Sequence, residues 1–134
     1  WWTLENPKSS FMFRIPAVIK LMAKRNVKNV VCDMCGFGLV DPVNGTFYRK
    51  STQFIGNVPG LESLARPCTK DHDHQHIEDA VVVNGRSIKR SVLAGVYPES
   101  FCTTFANMIA LAQTSDYDRR QRRIAATLRP HSIW

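Results

Sequence analysis

The sequence has no long hydrophobic run: nothing in it approaches the ~18 consecutive apolar residues of a membrane-spanning helix, so no membrane partner is expected. No glycine-rich turn follows a strand pattern, which removes the usual cradle for a nucleotide phosphate or a sulfonium cofactor. No segment reads as a secretory signal, and neither an internal repeat nor a low-complexity tract is visible. Cysteine is scarce: Cys32, Cys35, Cys68 and Cys102 are scattered rather than arranged as a secreted disulfide framework. A chain of 134 residues can bury enough surface to fold without staples, so this usage implies a reducing, intracellular compartment, nuclear or cytoplasmic. The first residue is Trp1 rather than methionine, and the chain reads as part of a longer polypeptide.

Acidic residues are in deficit. Eighteen Lys and Arg face eleven Asp and Glu, for a formal net charge of +7. Such an excess favours polyanions and steers their approach, which makes DNA the expected partner. Five arginines fall between Arg119 and Arg129. Among them Arg119, Arg120, Arg122 and Arg123 have only Tyr117 as an aromatic neighbour, which suits phosphate contact rather than base stacking. A solvated basic helix end is the alternative.

Trp1–Leu4 has the aromatic and threonine content of a strand end, and Ser9 and Ser10 can cap a following helix. Ile15, Val18, Ile19 and Met22 recur at the spacing of one buried helix face. Pro16 inside that span either kinks the helix or splits off a first turn near Phe11–Arg14. Val30, Val31 and Cys32 form a short apolar run that predicts a strand buried on both faces. The turn residues Asp41–Gly45 then join Gly36–Val40 to a second strand in the segment from Thr46 to Asn57. Asn84-Gly85 predicts a tight hairpin, and Pro98 opens a helix whose apolar face is Phe101, Phe105, Met108, Ile109 and Ala112. These elements predict an α/β chain: a partial Rossmann-like sheet with flanking helices and an inserted hairpin and loop region. Residues 1–113 make the domain, and residues 114–134 a basic tail that continues as a helix.

Cys68, His72, His74 and His76 supply one thiolate and three imidazoles within nine residues, enough for tetrahedral zinc. Asp71 and Asp73 make a solvated loop the alternative. Cys32 and Cys35 are expected not to share a metal, because on a strand residues three apart point to opposite faces.

Glu5-Asn6-Pro7 stands where an apolar run gives way to a helix signal, and the carboxyl ends of strands in open α/β sheets are where ligands bind. With "CDMCGFG", "YRKSTQFIGN" and "AGVYPESFCTTFANMIA" following in the same order, residues 1–112 resemble the C-terminal half of the catalytic domain of cytosine-5 DNA methyltransferases. The resemblance implies that Glu5 holds the target base in a catalytic role. It further implies that Asn6 and Pro7 fix the turn beside it, and that Arg49 and Lys50 contact substrate backbone or support the loop. It implies S-adenosylmethionine as cofactor of the full-length parent, whose glycine turn and Pro-Cys nucleophile would lie upstream of Trp1. The fragment itself is then expected to be inactive. The other expectation is a non-catalytic nucleic-acid-binding module, zinc-stabilised, within a larger polyprotein.

Overall fold

The computed structural model describes residues 1–127. Strand β1 spans Thr3–Pro7. The Ser10 hydroxyl then accepts the Met12 N–H at 3.2 Å and opens a 3-10 turn over Phe11–Arg14. Pro16 takes the first position of helix α1 (Pro16–Met22), where its missing N–H costs nothing, so the proline splits the segment rather than kinking it. The apolar stripe of α1 is not the buried face its spacing predicted. Ile15 and Ile19 are exposed and Val18 and Met22 half-buried, because the main packing partner of α1 is the small turn before it.

Strand β2 (Lys28–Asp33) buries Val30 and Cys32 on one face, while Val31 on the other is only half-buried, so the apolar run predicts the strand but not burial on both faces. The strand does not run on through Cys35, although the reading of Cys32 and Cys35 on one strand expects it to. A 3-10 turn over Met34–Phe37 takes its place, closed by Gly38 in the left-handed region at φ 85°. Around the Asp41–Gly45 turn Phe47 makes isolated bridges to Val40 and His74, and β3 is confined to Ser51–Gly56.

β3 lies between β1 and β2 and runs antiparallel to both. β1 and β2 therefore point the same way, joined by a connection through α1. Pro7 and Cys32 both stand opposite Thr52, and Asp33 stands opposite Ser51, so both strands end at the edge where β3 begins. This is a mixed α/β architecture on small antiparallel sheets without a closed barrel. It does not display the parallel ladder that defines a Rossmann-like sheet.

The hairpin forms as Asn84-Gly85 predicts, with φ of 50° and 76° between β4 (Ala80–Val83) and β5 (Arg86–Lys89). A single turn, α2 (Arg90–Leu93), leads to α3 (Glu99–Thr127). The α3 residues Phe101, Met108 and Ala112 are buried against Phe54 and the turns at Met34–Phe37 and Leu61–Leu64. Phe101 is the hub: Phe37 meets it edge-on at 5.2 Å, and Tyr97 and Phe54 stack on it at 5.0 and 5.6 Å. α3 runs unbroken across residue 113, where burial ends at Ala112 and the exposed basic half begins. Residues 128–134, Arg129 among them, lie outside the described part. No helix among the described residues is long and apolar enough to cross a membrane.

Candidate metal centre and the neighbouring sheet edge

Cys35, Cys68, His72 and His74 each bring one ligand atom to a common point, and the four atoms lie within 4.8 Å of one another. The Cys68 sulfur is 3.7 Å from His72 Nε2 and 3.5 Å from His74 Nε2. Bonds of about 2.3 Å to sulfur and about 2.1 Å to nitrogen, opened to a tetrahedral angle, span an edge of about 3.6 Å. The donor set and its spacing thus fit a four-coordinate ion. The Asp71 carboxylate sits 2.8 Å from His72 Nδ1, the outer-shell partner that fixes an imidazole's tautomer in metal sites. Phe47 packs on the His72 ring at 4.3 Å and closes the other side.

Sequence spacing places His76 in this group, and the structure replaces it with Cys35. His76 is turned away, exposed beside Glu78 at 3.8 Å. The alternation that would align His72, His74 and His76 needs one extended run, and the backbone instead bends over Lys70–His72 before the isolated bridge of His74 to Phe47. A strand through Cys35 would have turned its side chain away from the loop. The 3-10 turn instead swings it toward Cys68, while Cys32 stays in β2, fully buried and outside the cluster. The Cys32-x-x-Cys35 spacing was the available signal, with the correct half of it unreadable without the turn. Burial and then the neighbouring Cys68 push the Cys35 thiol up to about 12, so a cation is what would make it a thiolate. The chain's Pro-Cys pair, Pro67-Cys68, belongs to this loop.

The loop is tied to the end of β2. The Cys68 N–H donates to Asp33 Oδ2 at 2.8 Å, and the Asp33 N–H donates to the Arg66 carbonyl at 2.8 Å. The Ser51 hydroxyl donates to Asp33 Oδ1. Burial opposes ionisation of Asp33, but these donors, with Arg49 and Lys8, outweigh it and hold its carboxyl below the ordinary range.

Glu5 sits two residues inside β1, opposite Phe54, on the sheet face that α3 covers. Asn6 alternates to the other face, where its amide reaches the Met12 sulfur at 3.4 Å. Pro7, exposed, ends the strand. The Lys50 ammonium lies 4.6 Å from the Tyr97 ring centre, with Lys50 at φ 33° in the left-handed region that side chains rarely adopt. Burial and then the adjacent Glu5 raise the Tyr97 phenol above its ordinary range. Burial lowers the Lys50 ammonium against the pull of Glu5. Glu5 and Lys50 are therefore brought together, with Tyr97 as a partner the sequence did not indicate. Arg49 points elsewhere, over half exposed, its Nε 3.7 Å from Asp33. Arg119, Arg120, Arg122 and Arg123 are all exposed on α3, and Arg120 pairs with Asp116 at 3.0 Å.

Comparison with protein-family models, with curated proteins and with solved structures finds no match for this chain.

Proposed function

We propose that the chain is a nucleic-acid-binding module stabilised by zinc at Cys35, Cys68, His72 and His74. The observation that carries this reading is the convergence at one sheet edge of a four-donor cluster and the cationic residues Arg49 and Lys50. Two thiolates and two imidazoles select zinc over hard cations, and four protein ligands leave no open position for catalysis. The metal fixes a polar loop that has little apolar surface of its own to bury, and the +7 charge and the exposed arginines of α3 supply the attraction for phosphates. The test is a metal analysis of the purified protein together with a titration of duplex DNA at several salt concentrations. One zinc per chain and a steep loss of affinity with salt are expected. Replacing Arg119, Arg120, Arg122 and Arg123 by alanine should flatten the slope by up to about 0.9 for each phosphate no longer neutralised. A metal-free folded protein, or no binding at low salt, overturns the reading.

A second reading, the base-contacting half of a cytosine-5 DNA methyltransferase-like domain, is favoured by one observation. Glu5, Lys50 and Tyr97 meet near the edge where β1 and β2 both end. Here Glu5 would accept hydrogen bonds from an extruded base and Lys50 would hold the carboxylate in place, with Asn6 and Pro7 shaping the turn. The residues present do not fit S-adenosylmethionine, since Gly36 and Gly38 behind β2 belong to a short 3-10 turn and its cap, with the Arg66 side chain packed against Gly36, not to a cradle that opens onto a helix. Glu5→Gln discriminates the two. It leaves duplex affinity unchanged in both readings but weakens binding of a DNA with an unpaired cytosine only in the second.

A further inference from the structure

The edge where β1 ends and β3 begins carries a second feature, apart from the metal cluster and from the arginines of α3. Lys8, Ser9, Arg49 and Ser51 line an open notch of about 420 Å³ there. The backbone builds it: the Lys8 N–H donates to the Ser51 carbonyl at 3.0 Å, which brings the end of β1 and the start of β3 together. Neither cation is hydrogen-bonded to a carboxylate among the described residues. Among the described residues Lys8 has no carboxylate within 4.0 Å, and Arg49 has only Asp33, at 3.7 Å and beyond hydrogen-bond reach. Asp33 itself is turned inward, both oxygens taken by the Ser51 hydroxyl and the Cys68 N–H. The notch therefore presents two cations and the Ser9 hydroxyl, with its one neighbouring carboxylate occupied from behind. That combination of Lys, Arg and hydroxyl donors is what nucleic-acid backbones meet in protein interfaces.

We propose that this notch is a phosphodiester-binding site, in which Lys8 and Arg49 clamp one backbone phosphate and Ser9 donates to it. The inference rests on the nucleic-acid reading and deepens it. It also makes the metal matter for binding. Cys68, held as a ligand, keeps its N–H on Asp33, so that this carboxylate does not swing out to neutralise Arg49.

The test compares the zinc-loaded wild type, Lys8→Ala/Arg49→Ala and the charge-matched Lys24→Ala/Arg25→Ala in anisotropy titrations of a short labelled duplex at several salt concentrations. The notch variant should lose about 0.9 from the slope of log affinity against log salt, one phosphate's worth, while the control keeps the wild-type slope. Arg49→Lys, with Lys8 intact, should retain most of the slope. An equal drop in the control would show that net charge alone acts and would overturn the notch, leaving the nucleic-acid reading standing. Absence of binding by wild type would remove that reading and the notch with it. Amide shifts at Ser9 and Ser51 identify the source of the anion: movement with duplex supports the site, and movement with inorganic phosphate but not duplex overturns it.

Discussion

Cys35 and His76 separate what spacing suggests from what geometry provides. Both are plausible ligands by residue type, but only the Cys35 sulfur reaches Cys68, His72 and His74. Cys35→Ala should reduce the thiolate-to-metal charge-transfer absorption of the cobalt-substituted protein to about half, the share of Cys68, and weaken zinc at least tenfold. His76→Ala should leave both unchanged, and competition with a chromophoric chelator measures the difference. A second residue-scale prediction concerns Asp41, fully buried, which accepts from the Tyr48 hydroxyl at 2.6 Å and from the Val43 N–H at 2.7 Å, and pairs with Arg90. Its removal strands a buried guanidinium. Asp41→Ala should cost about 3–5 kcal/mol in urea unfolding. Asp79→Ala, whose carboxylate is mostly exposed at 3.0 Å from the same arginine, should cost no more than about 1 kcal/mol.

At the scale of elements, the three-stranded sheet depends on the close approach of β1 and β3. A Cβ on Gly56 would meet the Trp2 carbonyl and come within 2.9 Å of the Thr3 Cα, both backbone and unable to move aside. Gly56→Ala should therefore cost about 1–3 kcal/mol and loosen β1 selectively. Amide exchange would show it as lost protection at Leu4 and Asn6 before any loss at Val30. The outer half of α3 behaves in the opposite way. Its arginines bury nothing, and the Arg120–Asp116 pair is worth about 0.3–0.5 kcal/mol. The four-alanine variant should accordingly unfold within about 0.5 kcal/mol of wild type, since alanine is the better helix former. A larger loss would show that this half of α3 packs on something.

At the scale of the whole molecule, the metal cluster joins distant parts of the chain, the turn after β2 and the loop from Arg66 to His76. Around it the Asp33 bonds tie that loop to β3 as well. The apolar core of Phe54, Phe101, Met108 and Leu61 reaches the cluster through Met34 and Phe37, on either side of Cys35, but is itself built from side chains that do not ligate. Chelation should therefore release the loop and lower the melting temperature while leaving the sheet's far-UV signal largely intact. Limited proteolysis should then cut between Arg66 and Glu78 in the stripped protein only. Loss of all structure on chelation would mean that the core is too small to stand alone.

Features with local causes are legible in the order of residues alone. The Asn84-Gly85 turn, the Ser10 cap, an interruption at Pro16 (though not whether it kinks or splits the segment) and the apolar face of α3 each follow from the conformational preference or periodicity of a few adjacent residues. Three of the four donor residues are legible too, because they are close in sequence. Packing in three dimensions settles the rest. Whether the stripe of α1 is covered depends on neighbours the stripe does not encode, and Ile15 and Ile19 are left exposed. Whether Cys32 or Cys35 joins Cys68 depends on a turn that replaces an expected strand. Tyr97 comes to Glu5 and Lys50, and Lys8 to Arg49, only because β3 enters between β1 and β2. Strand order brings residues more than forty positions apart to one edge, and no local pattern records which edge that will be.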